Sequence, residues 1–175
     1  MTRSEYETLV RRGVLDDACV ELLYGRLVSM SPIGGPHVYS VRHLSQILIR
    51  ALLDRANVDV QAPFAAPDES EPQPDLMVTA LGDYLEAPPS SAMLIVEVAE
   101  SSLARDRAKL RLYATAGVPE FWIVNLPEGV IEVHRQPRAG TYEIVTRHGR
   151  ADALQLVSFP DVEVRVSDVL PPAAG

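Results

Sequence analysis

One acid inside an apolar run constrains this chain more than any other feature. Residues 93–98 read Met-Leu-Ile-Val-Glu-Val, apolar at every position except Glu97. A run that is apolar at successive positions belongs to a strand covered on both faces. A carboxylate there carries a high desolvation cost unless something pairs with it. Position 97 therefore calls for a metal ion, a lysine or a set of hydrogen-bond donors, and the fold must bring one of them to it.

The flanking residues offer candidates. Ser101 and Ser102 predict a helix start, and Gly117 followed by Pro119 predicts its end, so one helix runs to about Ala116. Asp106, Lys109 and Tyr113 fall on one face of that helix, beside an apolar stripe of Leu103, Leu110 and Ala114. Residues 120–124, Glu-Phe-Trp-Ile-Val, predict the next strand. Upstream, Asp75 heads a short apolar strand, Leu76-Met77-Val78, and lies 22 residues before Glu97. Gly82, Pro88 and Pro89 supply a turn region between them, so the two strands can lie side by side and bring the carboxylates together. Two carboxylates and a lysine suit the holding of a hard divalent cation and the stabilisation of an anionic transition state or a nucleophilic water. The same residues also fit a buried Glu97–Lys109 ion pair without metal, and Lys109 alone fits a solvated helix face.

The ordered set of PD at 74–75, EV at 97–98, D-x-x-K-x-x-x-Y at 106–113 and GVPEFWIVN at 117–125 resembles the Uma-type putative restriction endonucleases of the PD-(D/E)XK nuclease superfamily. The resemblance spans roughly residues 4–135. It implies a restriction-endonuclease-like fold and a Mg²⁺- or Mn²⁺-dependent nuclease acting on DNA. Asp75 and Glu97 would hold the metal, with the Val98 carbonyl as a third ligand. Lys109 would be catalytic, with Tyr113 in support, bonding phosphate or packing as core, and Asp106 orienting the lysine. MSPIGGPH at 30–37 matches the family's loop and histidine, which places His37 near the metal. A recurrent glutamate falls at Glu21, which leaves a site-edge role open there, although the residues alone read as a solvated strand position. Relatives are often dimers, which makes a homodimer the candidate assembly. Three departures stand out: Ala99 where many of the superfamily carry the lysine, Glu100-Ser101-Ser102-Leu103 in place of Ser-Pro-Ser-Thr, and Asn125-Leu126 in place of Asp-Pro.

Composition narrows the function classes. A chain of 175 residues suits one domain, here 1–175 with a frayed tail at 170–175. No apolar run approaches the ~20 residues of a membrane helix, and the polar start MTRSEYETLVRRG predicts no signal peptide. The single cysteine, Cys19, excludes an internal disulfide, fits a reducing cytoplasm and has no nucleophile setting. Nucleophile-elbow, P-loop, dinucleotide-binding and zinc spacings are missing. A net charge of −8 argues against broad nonspecific nucleic-acid binding, although Arg105, Arg107, Lys109 and Arg111 concentrate cations locally.

The remaining segments predict the frame. Residues 2–12 predict a helix with a Thr2/Glu5 capping box, and residues 20–30 a hairpin turning at Tyr24-Gly25. A helix follows over about 37–54, on which His43 reads as structural or exposed, and then a short strand at 58–61. Residues 62–73, rich in Pro, Ala and acids, predict a flexible, solvated loop or a cover for the site. Alternating residues at 129–135, 142–146 and 162–166 predict antiparallel strands with one wet face, leaving His134 and His148 solvated.

The expectation is an α/β domain: a mixed central sheet flanked by helices, with extra antiparallel strands toward the C-terminus. Its function would be hydrolysis of DNA phosphodiesters. The alternatives are a non-catalytic binding or assembly module that keeps the acids, and hydrolysis of a phosphodiester other than nucleic acid.

Overall fold

The structure, a computed structural model, describes residues 1–16 and 18–172. Helix α1, Arg3–Arg11, begins with the expected capping box: Thr2 N–H donates to Glu5 Oε2 at 2.7 Å, and Glu5 N–H to Thr2 Oγ1 at 3.2 Å. Strands β1, Val20–Leu23, and β2, Arg26–Ser29, form the hairpin. Its turn holds Tyr24 at φ 50° and Gly25 at φ 72°, the two left-handed positions that a tight two-residue hairpin needs. Helix α2 follows at Gly35–Leu52.

The central sheet contains β3, Asn57–Val60, β4, Leu76–Thr79, and β5, Leu94–Ala99. Helices α3, Leu103–Ala108, and α4, Leu110–Thr115, then cross to β6, Glu120–Asn125. Strands β7, Val130–Arg138, and β8, Thr141–His148, complete it. The order is β3-β4-β5-β6-β7-β8. Only β5 and β6 are parallel, and that pair is the one joined by a helical crossover. A second small sheet pairs β9, Ala153–Gln155, with β10, Glu163–Arg165, and runs into the short helix α5, Val166–Val169.

Strand alternation sorts the core onto two faces. Leu76, Val78, Leu94, Val96, Trp122 and Val133 pack with α2, α5 and the small sheet. Met77, Ile95, Phe121 and Ile123 pack with Leu112, Tyr113 and Ala114 of α4. Glu97 has the same parity as Ile95, so it points to the α3–α4 side. No described helix is long and apolar enough to cross a membrane.

Several expectations change. The 103–116 helix is two short helices meeting at Lys109, whose N–H lies 3.2 Å from both the Arg105 and the Asp106 carbonyls, a local tightening of the helix. Residues 62–73 are not a solvated loop. Phe64, Ala66, Ser70 and Glu71 are buried, and Leu22 and Glu71 exchange backbone hydrogen bonds, which extends the β1–β2 hairpin. His134 is buried on β7, because α3 and α4 cover the face that its alternation marks as wet. The tail at 170–175 falls partly outside the described residues, 173–175, but Leu170 is buried and the Pro171 carbonyl accepts from Arg150.

Candidate functional site

Antiparallel register places Leu76 opposite Val96 and Met77 opposite Ile95, and the next step sets Asp75 opposite Glu97. Both carboxylates thus emerge at the same end of the sheet, on the α3–α4 face. The Val98 N–H donates to Asp75 Oδ2 at 2.8 Å and ties the two strand ends together. His37, in the first turn of α2, brings Nε2 to the same Oδ2 at 3.0 Å.

Lys109 enters from the α3–α4 junction. Its Nζ donates to Glu97 Oε1 at 3.1 Å and to Glu21 Oε2 at 2.9 Å. Glu21 is 1% exposed, so the solvated reading of that position gives way to a place in the site. The Gln73 N–H, from the 62–73 segment, also donates to Glu21 Oε2. Tyr113 is fully buried and donates its hydroxyl to Glu97 Oε1 at 2.7 Å. It therefore supports Glu97 from beneath, inside the core, and offers no surface to a phosphate. The Lys109 ammonium bonds Glu21 and Glu97 rather than the Asp106 carboxylate, which accepts from Ser102 Oγ.

These groups floor a cleft of about 630 Å³. One rim is apolar, formed by Val20, Met30, Pro32 and Ile33, and the exposed Cys19 lies beside it. Glu100 stands at the other rim, with its carboxylate against the backbone of Gly34. A Cβ at Gly34 would fall 2.3 Å from a Glu100 oxygen, so a larger residue there would push the Glu100 side chain aside. Of the four cations clustered in sequence, Arg105 and Lys109 line the cleft. Arg105 donates to the Ser29 carbonyl and Ser31 Oγ, fastening the loop after the hairpin, and Arg107 turns away to Glu132.

The electrostatics follow from the count. Glu21, Asp75, Glu97 and Asp106 are buried together around one lysine. Burial, with Asp75, Asp106 and Glu21 nearby, raises the Glu97 carboxyl to about 8, although Lys109 opposes the rise. Burial likewise raises Asp106, against the bond from Ser102 and the pull of Lys109. Burial alone would lower Lys109, but Glu97 and Glu21 outweigh it and hold the ammonium charged. Burial also works against His37 protonation, and Asp75, aided by Glu100 and Asp106, reverses it to a net rise. The cluster carries more acid than its cations balance.

The donor chemistry fits a hard divalent ion. Asp75, Glu97 and Glu21 each meet their protein partners through one oxygen, and among the described residues no hydrogen bond engages the other. His37 Nδ1 is buried with no partner among the described residues. No three acidic, histidine or cysteine groups among the described residues are yet drawn together as a finished coordination shell. The sequence motif did not reveal Glu21 as the second acid on Lys109, since their contact spans 88 residues of chain.

A family model described as "Uma2: Putative restriction endonuclease" matches residues 4–167. A crystal structure of a putative nuclease from Anabaena variabilis superposes with a TM-score of 0.73 at 13% identity, over 86% of this chain and 88% of that one. That likeness establishes the shared α/β fold. No curated protein matches the sequence.

Proposed function

The chain belongs to the Uma2 family of putative restriction endonucleases, and from that premise we propose that it is a divalent-metal-dependent endonuclease hydrolysing DNA phosphodiester bonds. The observation that supports this reading is the cleft floor, where buried carboxylates outnumber the cations that balance them. Asp75 and Glu97 would hold Mg²⁺ or Mn²⁺, with the Val98 carbonyl and His37 adjacent. Such an ion polarises a phosphate and acidifies a bound water. The chain's own residues do the rest. Lys109 holds positive charge at the cleft floor, suited to steadying the charge on pentavalent phosphorus or positioning the attacking water. Glu21 keeps that ammonium charged and in place. Tyr113 fixes one oxygen of Glu97, and His37 with the Val98 N–H fixes one oxygen of Asp75.

Calorimetric titration with Mn²⁺ and Mg²⁺, with and without DNA, tests the reading on wild type, Asp75→Ala and Glu97→Ala. Saturable binding lost in both variants, followed by metal-dependent cleavage of plasmid or oligonucleotide DNA that Lys109→Ala abolishes, is the expected outcome. Silence in both titrations makes the carboxylates structural. A second reading, a non-catalytic binding module, draws on the acidity of the lining. Glu100 joins the four floor acids there, and both Lys109 and Arg105 are already engaged. Metal binding without turnover on any nucleic acid would select it.

A further inference from the structure

The hairpin that carries Glu21 into the site has a second hollow beneath its tip. Cross-strand partners share a face, so Glu21 and Val28, then Leu23 and Arg26, lie on one side of the hairpin. Leu23, Tyr24, Arg26 and Val28 meet Arg105 and Ala108 across a space of about 430 Å³. Arg105 and Lys109 line both this hollow and the acidic cleft, so the two adjoin. Strand rise sets the Leu23–Arg26 pair about 7 Å beyond Glu21, a step of about two nucleotides.

The two hollows differ in charge. Glu21, Asp75, Glu97, Glu100 and Asp106 line the cleft, whereas among the described residues no acid lines the second hollow. Arg26 is exposed, and among the described residues no hydrogen bond or ion pair engages its guanidinium. Arg105 commits Nη1 to the Ser29 carbonyl and Ser31 Oγ, and its other nitrogens have no partner among the described residues. Tyr24 is 44% exposed, and its N–H donates to Ser70 Oγ at 2.8 Å, which fixes the turn that presents the ring. Burial raises the Tyr24 phenol, with Arg111 opposing the rise and Asp68 adding to it, so one guanidinium and one carboxylate lie near the ring.

Uncommitted guanidiniums, an aromatic ring and the apolar walls of Leu23 and Val28 are the parts of a single-strand site. Cations follow the phosphates, and a ring stacks on a base. A duplex keeps its bases paired and offers such a hollow chiefly phosphates and sugars, so the ring and the apolar walls would go unused. We propose that the hollow beneath the hairpin tip binds the unpaired strand flanking the scissile phosphate, so that the protein acts on nucleic acid with a single-stranded segment. Arg26, with Arg105 and Arg111, meets the phosphates of that strand, and Tyr24 stacks on one of its bases. The choice of a nucleic acid as occupant rests on the nuclease reading above.

Fluorescence anisotropy in EDTA, with a labelled oligothymidylate and a blunt hairpin duplex of equal length, reads binding without cleavage. Wild type should bind the single strand about tenfold more tightly than the duplex. Arg26→Ala should weaken that binding several-fold and reduce the slope of log affinity against log salt by about 0.7, and Arg26→Lys should restore both. Tyr24→Ala should weaken binding about tenfold with the slope unchanged, and Tyr24→Phe should leave it intact. Arg138→Ala, at an exposed arginine of β7, is the control and should match wild type. The proposal is overturned by a wild type that binds neither nucleic acid, by a duplex bound as tightly as the single strand, or by Arg26→Ala and Tyr24→Ala variants that match wild type. Displacement of the strand by polyglutamate of equal charge also overturns it, and makes the occupant an acidic peptide. Cleavage in Mn²⁺ is scored separately. Metal-dependent cleavage with binding untouched in the Arg26 and Tyr24 variants removes this groove and keeps the nuclease. Binding through Arg26 and Tyr24 with no cleavage keeps the groove and selects the binding module.

Discussion

Glu97 and Glu120 sit on adjacent parallel strands, 4% and 1% exposed, yet the protein treats them differently. Glu120 Oε1 accepts from Trp122 Nε1 at 2.9 Å and from Arg135 at 2.9 and 2.7 Å, while Oε2 accepts the Val157 N–H at 2.8 Å. Glu132, on β7, meets Arg107 through both oxygens and Asn125 through one. Burial pushes the Glu132 carboxyl up, but Arg107 and Asn125 outweigh it and hold it below its ordinary value. Each of these acids has its own guanidinium. Glu97 instead shares Lys109 with Glu21, and its carboxyl rises to about 8. Burial of a carboxylate is therefore no mark of function in this sheet. What sets the cleft apart from these two acids is its ratio of acids to cations.

The sharpest way to break that contrast is Lys109→Met. It leaves Glu21 and Glu97 buried without a cation, and losing one partner of a buried pair costs about 3–5 kcal/mol. Urea denaturation measures the loss, and added Mn²⁺ should recover part of it by supplying charge where the ammonium stood. A loss under about 1 kcal/mol would mean that a proton already balances the cluster. Next in size is Glu120→Gln, which takes the carboxylate from Arg135, leaving it the Gln155 carbonyl, and costs about 2–3 kcal/mol whether or not metal is present. Glu97→Gln, by contrast, removes an acid from a crowded site. It should cost under about 1 kcal/mol in apo protein and abolish any metal-dependent stabilisation. Equal costs for the two substitutions would erase the distinction.

Much of this was legible in the sequence. The uninterrupted apolar runs around Val96 and Ile123 announced doubly covered strands, and the PD, EV and D-x-x-K motifs pointed to the residues now gathered at the cleft. What stayed hidden depended on long-range partners. Glu21 lies in a short hairpin whose pattern fits a solvated strand; the family resemblance left a site-edge role open, and the contact with Lys109 is what puts it in the site. Residues 62–73 look flexible by composition, yet the backbone of Glu71 pairs with Leu22 of β1, which no local pattern encodes. His134 alternates as a wet-face residue would, and the helices that cover it, Leu103–Ala108 and Leu110–Thr115, come from well earlier in the chain.

Glu71 is a third kind of buried acid, outside both the arginine-paired set and the cleft. Its Oε2 has no partner among the described residues, and burial, reinforced by Glu7, raises it to about 7 against the pull of Arg3. The raised carboxyl binds its proton more tightly folded than unfolded. Its stabilisation is therefore complete below pH 4.5 and is lost as pH climbs through 7. At about 1.4 kcal/mol per unit, stability should fall by roughly 2–3 kcal/mol across that window. Thermal melts of wild type and Glu71→Gln should differ by that slope. Parallel curves would place the titration elsewhere.

The smallest expected effect tests the same logic on bases. His37 has Asp75 at 3.0 Å, and its Nε2 is satisfied there. His134 packs among Phe121 and Tyr142 with neither ring nitrogen bonded among the described residues, and its acidic neighbour Glu132 already belongs to Arg107. Burial holds His134 below 6.5, with Arg107 adding to the effect and Glu132 opposing it, whereas Asp75 lifts His37 above 6.5. The two signs are opposite. The His37 contribution persists in acid and fades as pH rises, while the His134 contribution fades as pH falls. NMR titration of the ring protons should find the midpoints in that order. His134→Phe should gain about 1 kcal/mol near pH 6, since an aromatic ring fits there without unpaired nitrogens. His37→Phe should lose about as much, because it takes a partner from Asp75. A loss from both substitutions would mean that His134 has a partner of its own, and the division between satisfied frame and overcharged cleft would need redrawing on the α3–α4 side of the sheet.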